Sequence, residues 1–165
     1  MMPDRLRLGG EESFGLYAEH FRRLYQSGDV IRDVLGRAVT FDVERCRHVC
    51  FKEDPALSRD PLRRYERSIW SQDRAECITW IMRALADPDE IRVNHAVRRH
   101  QAYLIALPSV DMREPPLRYY VSVELTRDAG WVKFETAFCP DLSYWKAARR
   151  SAKGDLPIYK RRGRR

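Results

Sequence analysis

The chain has 165 residues, 44% hydrophobic and 33% charged, a balance that fits one globular domain with a sizeable core and excludes a disordered chain. Its apolar runs are only a few residues long, which argues against a membrane-spanning helix, and Met1-Met2-Pro3-Asp4-Arg5-Leu6-Arg7 lacks the apolar segment of a secretory signal, so a cytoplasmic location is expected. A formal net charge of +7 favours a polyanionic partner without distinguishing RNA from DNA or from an acidic protein.

Residues 1–10 carry no periodic pattern. From Glu11 the apolar residues Phe14, Tyr17, Phe21, Leu24 and Tyr25 follow helical spacing, and Gly28 is a stop signal. A further helical turn is expected over Asp29–Leu35, ended by Gly36, and then a short strand over Ala38–Val43. Periodicity does not decide between helix and strand edge for Glu44–Phe51. Turn signals follow at Lys52-Glu53-Asp54-Pro55 and Arg59-Asp60-Pro61. A helix is expected from Ser71, where Asp73 and Glu76 have capping-box spacing, through the stripe Ile78, Ile81 and Leu85 to Asp87-Pro88.

The period then changes to two. Ile91–Val93, Ala102–Leu107, Tyr119–Leu125 and Trp131–Phe138 read as successive strands, with a long loop at Ser109–Pro116 and a hairpin turn at Asp128–Gly130. In the last strand Val132, Phe134, Thr136 and Phe138 are expected on one face, and Pro140 bars continuation of the ladder. A short basic helix follows at Leu142–Ala152, and Lys160–Arg165 reads as a basic tail. The order predicts an α+β fold, with N-terminal helices packed on a four- to five-stranded, mainly antiparallel sheet and a short C-terminal helix. The expected organisation is a helical segment over residues 1–37, a domain over 38–160 and a tail over 161–165.

Chemistry-bearing residues are few. The four cysteines contain no CxxC pair, so reduced thiols packed as small apolar groups are expected. Cys46, His48 and Cys50 alternate and would share one face of a strand, but no second ligand pair completes a zinc site. His48 stands among Arg45, Arg47 and Lys52, a cationic setting suited to phosphate, and an imidazole both takes and gives protons near neutrality. A single histidine can equally serve only a hydrogen bond. His20 reads as a surface residue, whereas His95 and His100 flank Arg98-Arg99 as phosphate contacts or as solvated groups. Thr136 places a hydroxyl near a strand end, where threonine is also favoured for packing alone. On the next helix Lys146 and Arg150 share a face, and Tyr144 and Arg149 accompany them; Arg92 and Tyr103 lie on the strands between.

Taken in order, Arg47-His48-Val49, Trp70, Leu85-Ala-Asp-Pro-Asp-Glu-Ile-Arg92, Tyr103-Leu-Ile, Tyr120-Val-Ser-Val, Thr136-Ala-Phe, Tyr144 and Gly154…Ile158-Tyr159-Lys160 resemble the phage-associated domains of the barnase–EndoU–colicin–RelE (BECR) ribonuclease superfamily. The resemblance spans roughly residues 38–160. It implies a metal-independent endoribonuclease, acting as a toxin or as a phage or mobile-element effector, with RNA as partner, no cofactor and an acidic inhibitor or immunity protein as a further partner. It assigns His48 as base or acid, Arg92 and Thr136 as phosphate stabilisers, and Lys52, Tyr103, Tyr144, Lys146, Arg149 and Arg150 as substrate contacts. Where the family pattern carries a second His, this chain has Phe51-Lys52-Glu53, which leaves open whether Lys52 takes that role. Two other readings fit the same basic, aromatic surface: a noncatalytic RNA- or ribosome-binding module, and a protein-interaction accessory protein.

Overall fold

The computed structural model describes residues 4–57, 59–63, 66–94, 97, 99–107, 115–150 and 156–161. His95, Arg98, Gly154, the centre of the Ser109–Pro116 loop and residues 162–165 lie outside them. The first helix, α1 (Phe14–Tyr25), follows a single 3-10 turn at Glu11–Ser13 and turns Tyr17, Phe21 and Tyr25 inward, as their spacing requires. No helix forms over Asp29–Leu35. Instead the buried Asp33 carboxylate accepts from the Leu35 and Arg37 backbone N–H groups, the Arg37 side chain and the Tyr103 hydroxyl, folding a turn in which Gly36 takes φ +80°. A short side chain that bonds its own backbone outcompetes the helix here.

Next come β1 (Ala38–Thr40), α2 (Arg45–Cys50), β2 (Phe51–Glu53), β3 (Arg67–Trp70), α3 (Gln72–Glu76) and α4 (Trp80–Ala86). The expected Ser71–Leu85 helix is thus broken at residues 77–79. Ser71 makes no side-chain cap, and Asp73 and Glu76 both pair with Arg5 rather than closing a capping box. Ile78, Ile81 and Leu85 are nonetheless fully buried, so the apolar stripe found its core without one continuous helix. The strands β4 (Glu90–Val93), β5 (His100–Leu107), β6 (Leu117–Leu125) and β7 (Trp131–Phe138) stand within two residues of their predicted bounds, followed by α5 (Leu142–Arg149) and β8 (Tyr159–Lys160).

The sheet has six strands in the order β1-β7-β6-β5-β4-β8, more than the four or five expected, and a separate hairpin pairs β2 with β3. All neighbours run antiparallel except β1, which lies parallel to β7. β8 arises where Tyr159 and Lys160 pair with Ile91 and Glu90, and Arg161 is held by Asp87 and Asp89, so the basic end begins in the sheet. One face of the sheet, bearing Tyr103, Ile105, Tyr119, Val121, Val132 and Phe134, is sealed by α1, α2 and α4. The other face meets α5 through Ala102, Leu104 and Tyr120 against Trp145 and Ala148. No helix among the described residues is long and apolar enough to cross a membrane.

One irregularity decides what the open face carries. Ser122 pairs with Thr136 while Val123 pairs with Phe134, so Glu135 is an extra residue, a β-bulge. Strict alternation fails at that point. Val132, Phe134 and Ala137 are buried in the main core, whereas Thr136 and Phe138 turn to the α5 side. The expectation that Val132, Phe134, Thr136 and Phe138 share a face is corrected accordingly.

Candidate active site

Where α5 stops covering the open face, a cavity of about 790 Å³ lies between the sheet, the start of α5 and a wall made by α2, the β2–β3 hairpin and α3. Its volume suits a nucleotide-sized group. The bulge presents Thr136 to it, and α2 docks on β7 there: the Thr136 hydroxyl donates to the His48 carbonyl oxygen at 3.3 Å. Residues 88 positions apart are thereby brought into one site.

α2 is a helix, and its period separates the residues that a strand would have aligned. Cys46, Val49 and Cys50 face the core, while His48 is half-buried and reaches the cavity. The alternating Cys46, His48 and Cys50 therefore do not converge on a metal. Among the described residues no three His, Cys, Asp or Glu side chains are grouped to hold one. Burial holds the His48 pKa below its ordinary value, with the Arg67 and Arg45 guanidiniums adding to the shift, so the ring is neutral at pH 7. Because arginine only donates, Nδ1 of that ring accepts from Arg45 Nη1 at 3.2 Å. Arg45 in turn is salt-bridged to Glu135 at 3.0 Å, and burial raises the Glu135 carboxyl above its ordinary range against that pairing.

A second imidazole, His100, lines the same cavity. It opens β5 on the open face, opposite Glu124. Sequence reading gave His100 no more than a phosphate contact, because nothing local shows that β5 begins at the histidine itself. Two arginines were missed altogether. Arg67 spans β2 and α2, donating to the His48 and Phe51 carbonyl oxygens at 3.2 and 3.4 Å. Arg74 on α3 lays its guanidinium 4.6 Å from the centre of the Phe138 ring, and its Nη1 is buried with no hydrogen-bond partner among the described residues. Burial, reinforced by nearby Arg67, lowers the Arg74 pKa to about 10, so it keeps its charge at neutral pH. A buried, charged and unpartnered donor facing a cavity calls for an anion. By contrast, the four carboxylates lining the site are engaged: Glu53 with Arg67, Asp73 with Arg5, Glu135 with Arg45, and Asp141 as the cap of α5.

Of the residues expected at the site, His48, Lys52, Thr136 and Tyr144 line the cavity together. Tyr144 packs edge-on against Tyr120 and Phe138, giving an aromatic wall. Tyr103 is removed from the set: it is fully buried on the sealed face with its hydroxyl on Asp33. Arg92 shares a cross-sheet row with Ala102, Ser122 and Thr136, but three strand spacings put its backbone roughly 14 Å from that of Thr136. Its side chain bonds Glu90 at 2.7 Å, as Arg149 does, so both are drawn away from the cavity. Lys146, exposed on α5, and Arg150, exposed just past its end, do not line it.

No curated protein and no solved structure matches the chain. A family model, described as phage-Barnase-EndoU-ColicinE5/D-RelE like nuclease2, matches residues 18–159. Since that match runs from within α1 to the first residue of β8 and so covers most of the chain, the chain belongs to this nuclease family, as its motifs suggested.

Proposed function

We propose that the chain is a metal-independent endoribonuclease that cleaves RNA by attack of a ribose 2′-OH on the adjacent phosphorus. The observation that carries this reading is the lining of one cavity by two imidazoles, His48 and His100, together with the partly buried guanidinium of Arg74, whose Nη1 has no hydrogen-bond partner among the described residues. In this scheme neutral His48 takes the 2′-OH proton as the new P–O2′ bond forms. His100 delivers a proton to the departing 5′-oxygen as the P–O5′ bond breaks, leaving a 2′,3′-cyclic phosphate. Arg74 and Lys52 meet the nonbridging oxygens, where charge builds up in the transition state. Tyr144 offers an aromatic ring for an unstacked base, which favours single-stranded RNA. Thr136 positions His48 through its carbonyl rather than touching the phosphate.

One observation favours the rival reading, a noncatalytic RNA- or ribosome-binding module: Arg45 occupies the His48 nitrogen that a base would use. Catalysis requires Arg45 to release Nδ1 when substrate binds, its guanidinium remaining on Glu135. Incubation with RNA in EDTA separates the two. The nuclease reading expects 2′,3′-cyclic ends, lost by a factor of about 10²–10⁴ in either His48→Ala or His100→Ala. RNA bound but uncut would select the binding module. A role as a phage-borne effector or toxin, restrained by an acidic inhibitor that covers the cavity, belongs to the same proposal; growth arrest on expression, relieved by His48→Ala, is its expected sign.

A further inference from the structure

All four cysteines fall into two close pairs, and the pairs differ in what a bond would join. Cys46 and Cys50 have their sulfurs 3.9 Å apart on successive turns of α2, both almost fully buried. A bond there would constrain nothing beyond that helix, and no oxidant reaches it. Cys77 and Cys139 also bring their sulfurs to 3.9 Å, but across 62 residues. Cys77 follows α3, the helix that carries Arg74. Cys139 follows Phe138, the ring beneath the Arg74 guanidinium, and itself lines the cavity with partial exposure.

We propose that Cys77 and Cys139 are an oxidation site, forming a reversible disulfide with hydrogen peroxide as oxidant and thereby fastening α3 to the end of β7 at the cavity wall. The cavity gives peroxide a route to Cys139, and the fully buried Cys77 waits behind it as the resolving thiol. The hydrogen-bonding contact with Cys77 holds Cys139 below the ordinary thiol range, and the Arg5 and Arg74 guanidiniums assist against the opposing effects of burial and the Asp73 carboxylate. The Cys139 thiolate attacks one peroxide oxygen, the O–O bond breaks, and hydroxide leaves to take up the proton that Cys139 gave up on ionising. The Cys77 sulfur then attacks the resulting sulfenic acid, the S–S bond forms, the S–O bond breaks and a second water departs with the Cys77 proton. Two thiols thus supply two electrons and one peroxide becomes two waters. A dithiol reductant reverses the change.

A disulfide bond is about 2.05 Å long, so oxidation draws the two sulfurs together by nearly 2 Å. That movement falls on the contact between Arg74 and Phe138. Its consequence for catalysis rests on the nuclease reading above: oxidised protein should cleave RNA at least tenfold more slowly than reduced protein, since misplacing a binding group by about 1 Å can cost as much as 10²-fold.

The test treats the full chain with a small excess of hydrogen peroxide, then measures the masses of proteolytic peptides, Tm and RNA cleavage before and after dithiothreitol. Expected are a linked Cys77–Cys139 peptide pair 2 Da lighter than its free parts, a Tm raised by roughly 5–10 °C through closure of a long loop, and slowed cleavage, all reversed by the reductant. The Cys139→Ser and Cys77→Ala variants should lose the linked peptide and the Tm shift, and Cys46→Ala should keep both. Cysteines 77 and 139 left free, or Cys139 carried on to sulfinic acid without a link, would overturn the proposal. So would a linked pair that leaves Tm and cleavage unchanged in a protein active when reduced. Reduced protein that does not cut RNA defeats the nuclease reading instead, and the linked peptide and Tm then decide the oxidation site alone.

Discussion

The two faces of the sheet carry residues from the same strands and behave as different materials. On the sealed face Phe134 stacks on Phe41 at 5.0 Å and meets Phe21 at 6.0 Å, with α1, α2 and α4 excluding water. On the open face one short helix covers only the Ala102, Leu104 and Tyr120 patch, and the uncovered remainder carries His100, Ser122 and Thr136. The difference lies in coverage. A face covered by three helices is apolar almost throughout, the buried Gln101 Oε1 apart, whereas a face covered by one leaves a polar remainder that can do chemistry.

The contrast makes quantitative demands. Phe134→Ala removes a ring that is 1% exposed, and about 3–5 kcal/mol of stability should go with it, read as a lowered denaturant midpoint. If that loss were under 1 kcal/mol, the face would not be the sealed core described. Arg74→Gln on the open side should do the reverse. It removes a cation whose buried Nη1 has no hydrogen-bond partner among the described residues, together with its contact on the Phe138 ring, so Tm should change little while RNA cleavage falls about 10- to 10²-fold. A large fall in Tm would make Arg74 a structural residue.

The pH profile sharpens the same division. Burial and the neighbouring guanidiniums hold His48 below its ordinary value of 6.5, and a base must be unprotonated to act. The limb that falls toward acid should therefore be centred below pH 6.5 and decline about tenfold per unit beneath the lowered His48 value, while loss of the His100 proton slows cleavage on the alkaline side. An acid-side limb centred above pH 6.5 would exclude His48 as the base. The smallest effect belongs to Thr136→Val, which removes one hydroxyl-to-carbonyl bond worth about 1 kcal/mol and should slow cleavage several-fold through a loosened His48. Loss as large as that of His48→Ala would mean that the hydroxyl meets substrate directly.

How far the site could be read from sequence depends on the range of the interactions that make it. The strands β4 to β7 were legible because each alternates on its own and Asp128–Gly130 is a local turn, closed by Gly130 N–H on the Asp128 side chain at 2.8 Å. His48 and Thr136 were legible as residue types in suitable company. The bulge at Glu135 was not, though Phe134 and Ala137, three apart and both buried, are its trace. Without the bulge Thr136 was placed among core residues, and its availability to the cavity had the wrong reason. Arg67 stood in a stretch that no pattern resolved and Arg74 in one read as a capping signal, and only the docking of the β2–β3 hairpin and α3 beside β7 turns them toward the cavity. Arg92 failed for the opposite cause: its strand was right, yet Glu90, two residues back on the same face, claims its side chain.

The rims of the sheet have a consequence for how the molecule behaves in crowded solution. At one margin β1 is three residues long, at the other β8 is two, and beyond β1 the rest of β7 is bent by the bulge and faced by α2. An incoming extended peptide would find two or three rungs on either side before the ladder ran out. Such blunt margins give an edge-to-edge partner of this sheet too few rungs to set a fibre register.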